Sequence, residues 1–358
     1  MSIYFIAWIF FTVFIYIGTE NGILINPRVK RLIVVFTGIV YIIFSVFRNT
    51  SWNPNIDIYH YRIYFEGANV PLLTYIRLST FEIGYTLLEW IIYHMFRDFR
   101  VLLFVTHSLV YISKIKLLRK LRIRKYYFVL VALMALDLFT AFYLVRHTIA
   151  ISISIFVYLK LMKREYVKAV VLSFLAISIH NAAVILLFIC MACYLFNNRK
   201  RISKYKLPFY GILAVAGAYV IAPIICLYFA SDNKYYVYVG NGAVGIRFYS
   251  TALITWILAI GNLKRKKDEV YQMATISLTC LFVLFPLQLF IGIIYRMTLF
   301  FEPLIYYLLV KLPEFYNRRD VRYIGIRVLG YLTLGISLYQ FFTGSVEYIG
   351  NPYKWAGF

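Results

Sequence analysis

Few residues in this chain could do chemistry, and they stand far apart. The stretch FRNTSWNPNIDIYHYRIYF (47–65) supplies Arg48, Asp57, His60 and Arg62 among three tyrosines. FEIGYTLLEW (81–90) adds Glu82 and Glu89, FYLVRHTIA (142–150) adds Arg146, SIHNAA (178–183) adds His180, and Arg247 and Arg296 follow. A guanidinium binds phosphate oxygens through paired N–H groups. A histidine, with an ordinary pKa of about 6.5, can take up a proton near neutral pH. A carboxylate beside several arginines is held ionised and is better suited to positioning a partner. His180 is therefore the first choice for a general base, ahead of Asp57 and Glu82, with Arg48, Arg146, Arg247 and Arg296 as phosphate ligands. Asp57, His60, Tyr61 and Tyr64 share one face if 56–65 is helical, and the rings of Tyr61 and Tyr64 suit the apolar C–H faces of a pyranose. Each feature also has a plainer reading. The tyrosines could form an interfacial belt, and each arginine could anchor a helix end in the headgroups. Glu82 or Glu89, seven apart on one helical face, could simply pair with an arginine. His180 could hydrogen-bond within a packed hairpin.

The elements that must position these residues are membrane helices. The chain has 358 residues, 62% of them hydrophobic, and a mean hydropathy of +0.75, whereas soluble domains are about 45–50% apolar. Runs such as Leu32–Phe47 and Tyr210–Phe229 approach or reach the roughly 20 residues needed to cross about 30 Å of hydrocarbon. The first apolar run is followed by others and lacks a small-residue cleavage site, so it reads as a span and not a cleaved signal. The net charge of +23 comes from 38 Lys and Arg against 15 Asp and Glu. In a polytopic chain this reflects the positive-inside rule and anionic headgroups, not nucleic acid. Cys190 and Cys193 lie in an apolar run with no second cysteine pair, and all four cysteines read as small apolar residues.

Charge placement sets the topology. Six clusters, Arg28–Arg31, Lys114–Lys125, Lys160–Lys168, Arg199–Lys206, Lys264–Lys267 and Lys311–Arg322, hold 27 of the 38 basic residues. All six belong in the cytoplasm. The stretches 126–159 and 169–198 are each flanked by such clusters, so each must go out and return, with breaks near Arg146 and near His180–Asn181. The second is short for two crossings, which makes a re-entrant hairpin with His180 beside a wet cavity the expectation. Region 270–310 is a further hairpin with its tip between Pro286 and Arg296. Phe81–Phe96 reads as an outer-leaflet or re-entrant helix. The whole is an all-α polytopic protein of about 12 transmembrane helices, one integral domain over 1–358, with outer loops near 48–80 and 230–246. Of the 11 remaining basic residues nine are arginine, the type expected where a phosphate is the partner.

Some motifs are missing. There is no Asp-x-Asp pair, no GxxxxGK[ST] loop and no HExxH, which argues against a metal- and nucleotide-sugar-dependent transferase, an ATP-driven pump and an intramembrane metalloprotease. The motifs that are present, FR…D…Y across 47–61, FEIGY at 81–85, VRHTIAISI at 145–153, SIHNAA at 178–183 and YRMTLFF at 295–301, occur in an order that resembles the EpsG-like branch of the Wzy family, bacterial polymerases of O-antigen, capsule and exopolysaccharide. The resemblance implies a GT-C-like inner-membrane enzyme with a periplasm-facing site and no metal or other cofactor. It implies transfer of a glycan chain from undecaprenyl diphosphate onto a new lipid-linked repeat unit, with inversion if the acceptor hydroxyl attacks directly. Membrane lipids and a chain-length regulator are the other expected partners. Arg48, Asp57, Glu82, Arg146, His180 and Arg296 occupy the motif positions. RHTIA stands where an Arg-Gln-type pair is expected, which touches the role of His147 more than that of Arg146. A flippase or transporter of lipid-linked oligosaccharide, or a ligase using the same donor, would draw on the same residues.

Overall fold

A computed structural model of the protein describes residues 2–20, 22–48, 57–121, 123, 126–197, 206–231, 246–263 and 268–341. Within them the regular structure is helical. The helices are α1 (Ser2–Thr19), α2 (Pro27–Val46), α3 (Asp57–Glu66), α4 (Leu72–Leu78), α5 (Ile83–Phe96), α6 (Phe99–Lys120), α7 (Tyr127–Leu136) and α8 (Val145–Leu161). They continue as α9 (Tyr166–Ile179), α10 (Ile185–Asn197), α11 (Lys206–Ser231), α12 (Ile246–Asn262), α13 (Glu269–Phe290), α14 (Tyr295–Thr298), α15 (Glu302–Lys311) and α16 (Val321–Gln340). Five have the length and apolarity to cross a membrane: α2, α6, α13, α16 and residues Lys206–Ile225 of α11. Shorter apolar helices accompany them. The protein is therefore an all-α membrane protein. At 14 residues, α5 is about 21 Å long, shorter than the hydrocarbon core.

The helices break where the charge pattern placed breaks. The chain leaves α7 at Asp137 and resumes α-helix at Val145, leaves α9 at His180 and resumes at Ile185 through a 3-10 turn, and passes from α13 to α15 over 291–301 through two 3-10 turns and the single turn of α14. Interrupted backbone inside a membrane protein exposes carbonyls that must find donors. At the first break they do. The Tyr41 hydroxyl donates to Leu138 O at 2.9 Å, the Thr140 hydroxyl donates to Asp137 O, and Arg48, just past α2, donates to Phe142 O with its guanidinium carbon 4.3 Å from the Phe142 ring centre. Lys114, which the sequence counts with a basic loop, lies inside α6 and pairs with Asp137 at 3.0 Å.

The described residues form two compact units. The first comprises 1–156, 174–181 and 331–358. Its core is aromatic, with Tyr4, Phe11, Tyr41, Phe139 and Phe142 all nearly or fully buried, and mostly edge-to-face or tilted ring contacts. The second comprises 157–173 and 182–330, and centres on α13, which packs on α10, α11, α12 and α15. There Tyr158 donates to Phe300 O at 2.7 Å, Tyr271 donates to Ala259 O at 2.8 Å, and Tyr249 donates to Gln288 Oε1 at 2.9 Å. A cavity of about 410 Å³ between α10, α11 and α13 is lined by Met191, Leu195, Leu207, Tyr210 and Ile276 among others. No charged residue lines it, so it offers chemistry neither acid nor cation.

The inside–outside assignment gives a direct test. In a cysteine-free background, a membrane-impermeant thiol reagent is expected to label Asn181→Cys, at the second break, from outside the cell. It should label Lys120→Cys, at the end of α6, only after the membrane is opened. Outside labelling at 120 would reverse the topology.

Candidate functional site

Three of the sequence-selected residues meet within the first unit. Glu82 is the residue before α5, in an extended conformation, where the positive end of the helix favours a carboxylate. The Ser79 hydroxyl prepares this turn: it accepts from Phe81 N at 3.1 Å and lies 2.9 Å from Thr86 Oγ1. Arg146 is the second residue of α8, immediately after the first break. His180 is the residue after α9, at the second break. Each functional side chain thus sits at a helix end, where backbone groups are also left without intrahelical partners.

Glu82 is the centre of the cluster. Its Oε2 accepts from Arg146 Nη1. Its Oε1 accepts from the backbone N–H of Asn181 at 3.0 Å and lies 3.5 Å from His180 Nδ1. Burial by itself would raise Glu82, but the His180 contact, the Arg146 charge and the Asn181 N–H outweigh it and hold the carboxyl at about 2. The group is ionised throughout the neutral range and is a weak proton acceptor. The side chains of Glu82, Arg146 and His180 are 12, 15 and 8% exposed, so the ion pair is largely desolvated.

Aromatic rings enclose Arg146. Its guanidinium carbon lies 4.2 Å from the Phe81 ring centre, 5.6 Å from that of Tyr61 and 5.8 Å from that of Tyr85, within cation–π range. Its Nε donates to the Tyr61 hydroxyl at 3.4 Å. A guanidinium carries five N–H groups. Nε and Nη1 have partners, and Nη2 makes no hydrogen bond among the described residues. The His147 ring stands edge-to-face on His180, with centres 4.8 Å apart.

A close approach makes this cluster possible. A Cβ on Gly84 would lie 2.3 Å from Ser178 Oγ, 2.7 Å from Ser178 O and 2.9 Å from its carbonyl carbon. Only a glycine lets the first turn of α5 come near enough to the end of α9 for Glu82 to reach Asn181.

The other sequence candidates are placed as follows. Asp57 is exposed in the first turn of α3 and makes no polar side-chain contact among the described residues; His60 is also exposed. Tyr61 is buried and Tyr64 half-buried on the same helix, with ring centres 5.5 and 4.6 Å from that of Phe81. Helix α3 does form, yet its expected single face divides into a buried aromatic side and an exposed polar one. Arg48 is 4% exposed and gives an N–H to Phe142 O. Arg247 lies in the first turn of α12, its side chain outside the described residues. Arg296 lies half-buried in α14 of the second unit. The loop expected near 230–246 falls mostly outside the described residues. Among those described, no three His, Cys, Asp or Glu side chains converge as metal ligands would.

The cluster also contains residues that carry no charge or nucleophile to mark them in the sequence. Phe81, Gly84 and Tyr85 belong to FEIGY, and the motif itself is the sequence signal that could find them. His147 was visible only as a departure from the expected pair.

No curated protein matches the chain and no solved structure does. A family profile does match, over residues 32–355, which takes in FEIGY, VRHTIAISI and SIHNAA: the chain belongs to the EpsG family.

Proposed function

We propose that the protein is a polysaccharide polymerase of the bacterial inner membrane. In this reading it moves a glycan from a lipid diphosphate, undecaprenyl diphosphate by family resemblance, onto the hydroxyl of a lipid-linked acceptor at the periplasmic face, in a GT-C-like architecture of about 12 spans. Family membership supports the class of function. The observation that carries the mechanism is Glu82 touching both Arg146 and His180.

Each residue has a defined task. Glu82 approaches Nδ1 of His180, which directs Nε2 toward a substrate hydroxyl. Catalytic hydrogen bonds are often long in an unliganded site and shorten when it fills. As the acceptor hydroxyl attacks the anomeric carbon, Nε2 takes its proton and the ionised Glu82 stabilises the resulting imidazolium. The sugar–phosphate bond breaks on the opposite side, and negative charge grows on the departing diphosphate. The free N–H groups of Arg146 lie in a largely desolvated setting, where a fixed donor stabilises such charge strongly. Phe81, Tyr61 and Tyr64 offer rings beside it to the sugar. Arg48, Arg247 and Arg296 are the sequence's further candidates for the diphosphate.

Arg146→Lys keeps the charge but loses the planar fork. We expect a loss of about 10- to 100-fold in polymerisation with purified lipid-linked repeat, the worth of one charge-assisted hydrogen bond. Lys120→Ala should leave the rate nearly unchanged. Normal polymerisation by Arg146→Lys at native expression would make Arg146 a structural ion pair only.

A further inference from the structure

Glu89 lies seven residues after Glu82 on α5, fully buried. Among the described residues no lysine, arginine or histidine lies within ion-pair distance of it; Arg146, whose charge acts on it from farther off, is matched by Glu82. The Tyr75 hydroxyl from α4 is hydrogen-bonded to its carboxyl, while Glu89 Oε1 and the nearby Tyr85 hydroxyl of α5 are buried and make no hydrogen bond among the described residues. Hydrogen counting then ties its state to where Tyr75 places its one hydrogen. The Tyr75 hydroxyl lies 3.0 Å from Glu89 Oε2 and 3.0 Å from the backbone carbonyl of Tyr64. One hydroxyl has one hydrogen, and a carbonyl can only accept. If Tyr75 donates to Tyr64, the second bond needs its hydrogen from Glu89. An unpaired buried carboxylate is costly enough that such groups neutralise instead, which favours the arrangement in which Tyr75 donates to Tyr64 and Glu89 donates to Tyr75.

We propose that Glu89 is a neutral carboxylic acid whose O–H donates to Tyr75, and that this makes it the positioning residue for the aromatic wall of the site. The role given to that wall rests on the polymerase reading; the protonation state does not. The chain of bonds runs from Glu89 to Tyr75 to the end of α3. There Gly67 N bonds Ile63 O and Ala68 N bonds Phe65 O, while the Tyr64 carbonyl is taken by Tyr75. The helix end so fixed carries the Tyr61 and Tyr64 rings that pack on Phe81, and Phe81 in turn faces Arg146.

Two measurements test this. An infrared difference spectrum, wild type minus Glu89→Gln at neutral pH, is expected to show the C=O stretch of a protonated carboxyl, with its characteristic shift in deuterated water. Absence of that band means Glu89 is ionised and overturns the proposal, whatever the enzyme's activity. In polymerisation assays Glu89→Gln, which keeps a donor for Tyr75, should stay near the wild-type rate, while Glu89→Ala should lose about tenfold or more through the unsatisfied hydroxyl. If a folded Glu89→Gln is as impaired as Glu89→Ala, an ionised carboxylate is what matters there and the positioning role is wrong.

Discussion

His180→Ala is expected to lower polymerisation by about 10²–10⁴-fold, the usual worth of general-base assistance, and to leave lipid-linked single repeats accumulating. The competing bases are the two carboxylates. Asp57 lies exposed on α3 without a polar partner among the described residues, so Asp57→Asn should change the rate little. Glu82 is held at about 2, which makes it a weak base and a good orienting group. Glu82→Gln should still be severely impaired, because Arg146 would lose its counter-charge and His180 its orienting contact. Chemical rescue separates the two roles. Added imidazole can occupy the space left by His180→Ala and restore part of the rate, whereas it cannot replace Glu82. The assay is in vitro polymerisation of purified lipid-linked repeat. If His180→Ala keeps more than about a tenth of the rate while Glu82→Gln is inactive and well folded, the carboxylate is the base, and the assignment of roles is reversed.

A second large effect is expected from the smallest change available. Gly84→Ala places a methyl group 2.7 Å from a backbone oxygen of Ser178 and 2.9 Å from its carbonyl carbon. A side chain can rotate away from such a contact, but backbone cannot. The start of α5 and the end of α9 must therefore separate, and Glu82 loses the Asn181 N–H at 3.0 Å together with its approach to His180. Misplacement by about 1 Å can cost about 100-fold in rate, and overpacking costs about 1–3 kcal/mol of stability. We expect Gly84→Ala to be inserted and folded, with a lowered Tm and activity reduced by about that factor. Ser178→Gly should not rescue it, since removing Oγ at 2.3 Å still leaves the backbone oxygen and carbonyl carbon in the way. Activity within about threefold of wild type would show that the site does not need this close approach.

Much of the architecture was legible because it follows from one-dimensional physics. A membrane forces apolar runs of a certain length, and the positive-inside rule forces basic clusters to one side. Two clusters flanking a single apolar stretch then require a break between them. The breaks at 137–144 and 180–184 follow from that reasoning alone, as does the presence of Arg146 and His180 beside them. The pairing of a carboxylate with an arginine was legible as a possibility, and the motif order pointed to the family.

What only the tertiary structure decided is which partner each group takes. Glu82 and Glu89 look equivalent in sequence, seven apart on one helix. One lies at the helix start facing Arg146, and the other is buried against tyrosines, so one is an anion and the other is inferred to be a neutral acid. Arg48 and Arg146 both follow apolar runs and both suit a phosphate. Yet Arg48 gives an N–H to an interrupted backbone at Phe142, while Arg146 pairs with Glu82 among aromatic rings. Sequence spacing fixes angles around a helix axis, but not which helix lies opposite. That depends on where two backbones can approach, and here a glycine at 84 against Ser178 sets the distance.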